Sequence, residues 1–182
     1  MKRTVWTFGL ISGAVISLLM LVTLPFENAI GFHSYVLGYT TMVLAFLFIY
    51  FGVRSYRDTV GKGAISFARG LVVGTLIAVI SSVCYVATWE VIYFKLSPDF
   101  LTKYQTYELN KAKASGATPG AMAKREEEMK KFAEMYKNPA INAAITFIEP
   151  LPVGLVIALV SAGVLRRRNR LQGIDVRQTS IA

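Results

Sequence analysis

Between Arg69 and Lys95 the chain reads GLVVGTLIAVISSVCYVATWEVIYF, residues 70–94, with Glu90 as its one charged group. At about 1.5 Å rise per residue a helix of that length crosses the ~30 Å hydrocarbon layer of a bilayer with residues to spare. The same reading extends outward to three further apolar segments, about 5–24, 35–53 and 141–165. Each is bounded by a charge or a proline: Pro25 ends the first, Arg54 the second and Arg166 the fourth. Four spans make an all-α integral membrane bundle. Residues 1–168 are then one transmembrane domain, and 169–182 form a polar, disordered cytoplasmic tail.

Composition agrees. In 182 residues, 54% are hydrophobic, and they gather into long runs rather than alternating with polar residues. The formal net charge is +9, but the basic residues sit at span ends and in one excursion, where anionic lipid is a simpler partner than nucleic acid. Cys84 is the only cysteine and lies inside the third run, which excludes a disulfide framework. Val5 to Leu24 is long for the apolar core of a signal peptide, so it is expected to be a retained span.

Charge also suggests an orientation. Lys2 and Arg3, then Arg54, Arg57, Lys62 and Arg69, then Arg166, Arg167, Arg168 and Arg170 alternate with connections on the other side. The first of those connections, 26–34, has no Lys or Arg, so both termini are expected in the cytoplasm of a bacterial inner membrane. The lysine-rich stretch 95–140 argues the other way. Trp89, Tyr93, Tyr35 and Tyr39 are expected at the outer boundary, and Trp6, Tyr50 and Tyr56 at the inner one.

Small residues recur every four positions in three spans: Gly9, Gly13 and Ser17; Gly70, Gly74 and Ala78; Gly154, Ala158 and Ala162. Such stripes let helix backbones approach closely, which predicts a tight bundle. Between spans three and four, about 97–138, two amphipathic helices are expected to form an extracytoplasmic hairpin. Ser97-Pro98-Asp99 reads as the start of the first, and Thr118-Pro119 as the start of the second. Phe100, Tyr104 and Tyr107 share one face; Met122, Met129, Phe132 and Tyr136 share the other.

Carboxylates inside apolar helices need a reason, because each costs several kcal/mol near the bilayer centre. Counted from the basic anchors, His33, Glu90 and Glu149 reach heights within roughly 6 Å of one another, and Glu27 lies slightly higher. Pro150 and Pro152 lack N–H groups, so the carbonyls of Thr146 and Ile148 lose their helical donors beside Glu149. A helix break next to a carboxylate is how membrane proteins hold cations or pass protons. Glu149, Glu90 and His33 are therefore a candidate proton or ion site. The plainer alternative is that both glutamates accept hydrogen bonds from nearby groups such as Thr88, Tyr93 and Thr146. Arg166, Arg167, Arg168 and Arg170 read as lipid-headgroup anchors.

No Ser-His-Asp set, zinc-helix motif or phosphate-cradling loop is present in the sequence, so no enzyme, cofactor or metal is expected. The expected partners are membrane lipids and either a second copy of the chain or another membrane protein. The leading functional reading is a small non-enzymatic structural or accessory membrane protein. The alternative is a component of a proton- or cation-coupled transporter or channel.

Several segments, taken in order, resemble the DUF4199 family of short bacterial membrane proteins. They are Gly38-Tyr39-Thr40-Thr41-Met42, Phe51-Gly52-Val53-Arg54-Ser55-Tyr56-Arg57-Asp58 and Tyr85-Val86-Ala87-Thr88-Trp89-Glu90. Pro98-Asp99-Phe100, Met135-Tyr136-Lys137-Asn138-Pro139 and Phe147-Ile148-Glu149-Pro150-Leu151-Pro152-Val153-Gly154 complete the pattern. The resemblance covers roughly residues 1–168. It implies a four-span inner-membrane protein and draws attention to Glu90 and Glu149. It implies no reaction or ligand.

Overall fold

The computed structural model describes residues 1–24 and 35–166. His33, Glu27, Arg167, Arg168, Arg170 and the tail 169–182, all singled out in the sequence, lie outside the described residues. In chain order the helices are α1 (Lys2–Thr23), α2 (Tyr35–Thr59), α3 (Phe67–Val91) and a π-helical turn (Ile92–Leu96). They continue with α4 (Phe100–Ala114), α5 (Pro119–Tyr136), α6 (Pro139–Ile148) and α7 (Pro150–Leu165). Among the described residues, four helical stretches are long and apolar enough to cross a membrane: Lys2–Thr23, Val36–Thr59, Phe67–Leu96 and Pro139–Leu165. The protein is an all-α membrane protein, with α4 and α5 inserted between its third and fourth spans.

The helices run past the apolar limits read from sequence. Arg54 does not end α2, which continues to Thr59 with Asp58 salt-bridged to Arg57 and Arg54. At the other side of the loop α3 starts at Phe67, capped by Ser66 Oγ accepting from the Arg69 N–H at 3.3 Å. A charge ends the hydrocarbon-compatible part of a helix without ending its hydrogen-bond ladder.

Small residues set the bundle's register. α3 and α7 run antiparallel, so each step of four along one is met by a step of four back along the other. A Cβ on Gly70 would meet Ala162 at 3.3 Å, one on Gly74 would meet Ala158 at 2.8 Å, and one on Gly154 would meet Ala78 at 2.8 Å. α1 lies parallel to α3, and Cβ atoms on Gly9 and Gly13 would meet Ile80 at 2.8 Å and Cys84 at 2.6 Å. Both seams close because side chains are missing there, as dispersion-driven packing in lipid requires. Phe46, Ile49, Val73 and Ile77, each 0% exposed, fill the middle.

Hydroxyls tie the same seams. Ser12 Oγ donates to the Ala45 carbonyl at 2.8 Å, and Ser81 Oγ shares its proton between the Ile77 and Gly9 carbonyls at 2.9 and 3.2 Å. Thr88 Oγ1 bonds Ser17 Oγ at 2.7 Å. Interhelical bonds of this kind contribute about 0.6 kcal/mol each on average in a membrane. Large apolar side chains such as Leu18, Val156, Val160 and Val164 point outward, as a lipid-facing surface demands.

The insertion starts differently from the sequence reading. Ser97 does not cap α4; it closes the π-helical turn, its N–H bonding the Ile92 carbonyl at 2.7 Å. α4 begins at Phe100, and Asp99 makes no capping bond because its carboxylate is held by Lys103 at 2.7 Å. α5 starts where expected, with Thr118 Oγ1 accepting from the Ala121 N–H at 3.3 Å. Gly116, at φ +77, makes the turn between the two.

Candidate functional site

The site begins where the fourth span is interrupted. Asn138 caps α6, its Oδ1 accepting from the Ala140 N–H at 3.0 Å, and Pro139 occupies the first turn. Pro150 and Pro152 then remove two backbone donors, and the ladder lapses at Glu149 alone. Glu149 keeps helical dihedrals, φ −61 and ψ −53. The expected helix break is therefore a one-residue interruption and not an unwound segment, since proline already has the φ that a helix needs.

Tyr85 reaches Glu149 from α3, its hydroxyl donating to Oε2 at 3.1 Å. One and two helical turns further along the same face come Trp89 and Tyr93. Aromatic side chains at this four-residue spacing look like a lipid-boundary belt in the sequence. In the fold, Trp89 and Tyr93 pack against rings of the hairpin and join it to the bundle. Trp89 meets Phe100 edge-on with centroids 5.0 Å apart, and Tyr93 meets Tyr136 edge-on at 5.3 Å.

Tyr136, the last residue of α5, is the hub of this junction. Trp89 Nε1 donates to its hydroxyl at 3.1 Å. Thr146 Oγ1 donates its only proton to Asn142 Oδ1 at 3.2 Å, so in the 3.1 Å bond between Tyr136 and Thr146 the phenol is the donor. Asn142 Nδ2 closes the circuit on the Tyr136 carbonyl at 3.4 Å. Asn142 is fully buried, and its amide is satisfied inside the network. Burial pushes the Tyr136 phenol up from its ordinary value; the N–H bond it accepts from Trp89 pulls it down, and the nearby Glu149 and Glu90 carboxylates push it up again.

A cleft of about 330 Å³ opens beside the hub. Tyr85, Trp89 and Glu149 form its floor; Phe100, Leu101 and Tyr104 of α4 line one wall, and Phe132 and Tyr136 of α5 the other. The Phe132 and Tyr136 rings lie 5.0 Å apart. A second cleft of about 420 Å³ continues between α4 and α5, sharing Leu101, Tyr104 and Phe132. Along it the buried Glu108 carboxylate is held by Arg125 at 2.6 Å.

The residues proposed from sequence separate here. Glu149 faces the cleft. Glu90 does not line it, and its Oε1 is buried with no hydrogen-bond partner among the described residues. The two carboxylates meet only in their common influence on Tyr136. Thr88 and Thr146, expected as donors to the glutamates, bond Ser17 and Asn142 instead. Pro150 is fully buried, and Arg166 ends the last helix exposed. Asn142 and Glu108 are not candidates in the sequence reading, and Tyr85 enters it only within the Tyr85–Glu90 segment. The Tyr85–Trp89–Tyr93 spacing was the available signal for Tyr85, and nothing marked the other two. Among the described residues, no group of three His, Cys, Asp or Glu side chains is placed to hold a metal ion.

Chemically the arrangement offers one fixed carboxylate, several phenol and indole groups and a set of ring faces in a partly enclosed space. Comparison with known proteins adds the lineage. No curated protein and no solved structure matches the chain. A family model described as "Protein of unknown function (DUF4199)" matches residues 7–167, nearly the whole of the four-span unit. The chain therefore belongs to the DUF4199 family.

Proposed function

We propose that this chain is a small non-enzymatic accessory protein of the bacterial cytoplasmic membrane that works through the cleft between its hairpin and its bundle. In this reading both termini and the 60–66 loop face the cytoplasm, and the hairpin lies outside. Membrane lipids surround the apolar faces of the spans, and Arg166 with the arginines after it meets anionic headgroups. The observation that carries the reading is Glu149, a carboxylate inside a span that turns to a hairpin-roofed cleft with one hydrogen bond from Tyr85. The filled middle of the bundle, where Phe46, Ile49, Val73 and Ile77 are 0% exposed, favours binding at one end over passage from side to side.

A proton- or cation-coupled role is the second reading, favoured by the buried Glu90 oxygen, which has no hydrogen-bond partner among the described residues. Proteoliposomes separate the two. The accessory reading expects proton and cation leak equal to that of empty vesicles. Flux that vanishes in Glu149→Gln or Glu90→Gln would overturn it in favour of the second. Topology is checked with Ala123→Cys, an exposed hairpin position, in a Cys84→Ser background. A membrane-impermeant maleimide should label it in intact cells, and labelling only after lysis would reverse the orientation.

A further inference from the structure

We infer that the cleft over Glu149 binds the ammonium head of a zwitterionic phospholipid. The inference rests on the cleft's being the working site and adds the chemistry of its occupant. Trp89, Phe100, Tyr104, Phe132 and Tyr136 line a cleft of about 330 Å³ together with the exposed Glu149 carboxylate. Ring faces attract ammonium groups through their quadrupoles, and Glu149 supplies the full opposite charge. An inorganic ion would need several oxygen ligands, whereas the described residues lining this site supply one carboxylate and mostly carbon walls. The volume lies at the low end of the roughly 300–1,000 Å³ of small-molecule sites, which suits a headgroup and not an entire lipid.

Depth selects the lipid over a dissolved amine. Trp89 lies seven residues before Leu96, the end of the third span, and Glu149 ten residues after Pro139, the start of the fourth. At about 1.5 Å per residue the floor is roughly 10–15 Å below those helix ends. The third span has 30 residues, about 45 Å of helix against ~30 Å of hydrocarbon. Its excess length places the floor near the boundary between acyl chains and headgroups, where phospholipid ammonium groups already reside.

Trp6 and Trp89 are the only tryptophans, so Trp6→Phe leaves the cleft indole as the sole reporter in the full-length protein. In detergent, phosphatidylethanolamine should shift Trp89 emission saturably, while phosphatidylglycerol, which has no ammonium, should not. Glu149→Gln should weaken the apparent affinity at least tenfold. If that variant does not fold, Phe132→Leu should weaken it several-fold, because Phe132 is a cleft ring already 38% exposed. Equal responses to the two lipids, or unchanged affinity in a folded variant, would overturn the proposal. So would saturation by tetramethylammonium chloride without any response to phosphatidylethanolamine, which would assign the site to a free cation. None of these outcomes bears on leak or topology, so this proposal can fail while the accessory role stands.

Discussion

Two pairs of helices in this molecule are held together by opposite means. α3 and α7 meet along Gly70, Gly74, Ala78, Gly154, Ala158 and Ala162, so closely that a missing methyl group is what permits the contact. α4 and α5 carry long charged side chains and leave a cleft of about 420 Å³ between them. The first pair lies in lipid, where no hydrophobic effect favours one apolar neighbour over another and only close contact selects a partner. The second lies outside the spans, where Asp99–Lys103 at the start of α4 and Glu126–Lys130 and Glu127–Lys131 in α5 support the helices and Glu108–Arg125 joins them. Tightness in the seam and openness in the hairpin are what allow a rigid base to carry a site at its edge.

The sharpest way to break that contrast is to add the same kind of carbon to both regions. Gly74→Val forces atoms into Ala158, whose Cβ a new Cβ would meet at 2.8 Å and whose backbone Cα it would meet at 3.2 Å. Overpacking of this kind costs about 1–3 kcal/mol, and the backbone contact puts this site at the upper end. Gly120, in the first turn of α5, has nothing within 4 Å of an added Cβ. Gly120→Ala should stabilise α5 by about 0.5 kcal/mol, because a helix position loses less backbone entropy with alanine than with glycine. Thermal unfolding of the purified protein in detergent checks both. Equal tolerance at the two positions would mean that the seam relaxes and does not define the bundle.

The seam was largely legible in the sequence, and the site was not. Gly70, Gly74 and Ala78 repeat at helical spacing, and Gly154, Ala158 and Ala162 repeat at the same spacing. Membrane helices with such stripes have few other ways to pack. The apolar lengths marked the four spans for the same reason: the bilayer imposes one length scale on all of them. Expected heights for Glu90 and Glu149 also follow from counting along each helix. Which way each carboxylate turns does not, because rotation about a helix axis is fixed by contacts between distant segments. Tyr136 shows the difficulty best. By spacing it belongs to an apolar stripe, and only the meeting of α5 with α3 and α6 makes it the acceptor for Trp89 and the donor to Thr146.

Tyr136→Phe sharpens the comparison at the point where the two regions join. The variant keeps the ring against Phe132 and Tyr93 but strands the Trp89 N–H, which loses its acceptor, and leaves Thr146 Oγ1 without its donor. A buried donor left without an acceptor costs about 1–3 kcal/mol, and solvent reaching the cleft should keep the effect near 1 kcal/mol. Amide exchange should rise at the start of α6 and in the last turn of α5 while the α3–α7 seam keeps its protection. A uniform rise across seam and hairpin would show that the network supports the whole bundle and not the junction alone.

The smallest expected effect is electrostatic and confined to the hairpin. Lys103's hydrogen bond, assisted by its charge, holds the exposed Asp99 carboxyl below its ordinary value of 3.8. A carboxylate with a lowered value in the folded state contributes stability above its unfolded value and loses it as pH falls through the folded one. The first turn of α4 should therefore fray progressively below about pH 4, and Asp99→Asn should remove that step. Glu126, held low by Lys130's hydrogen bond, should give the same behaviour in the middle of α5. Both pairs are solvent-exposed, so added salt should shrink the effect as well. Seam amides around Gly74 and Ala158, packed by contact and without charge, should pass through the same pH range unchanged. If they lost protection together with α4, hairpin and bundle would be one cooperative unit, and the site between them could not open independently of the spans that carry it.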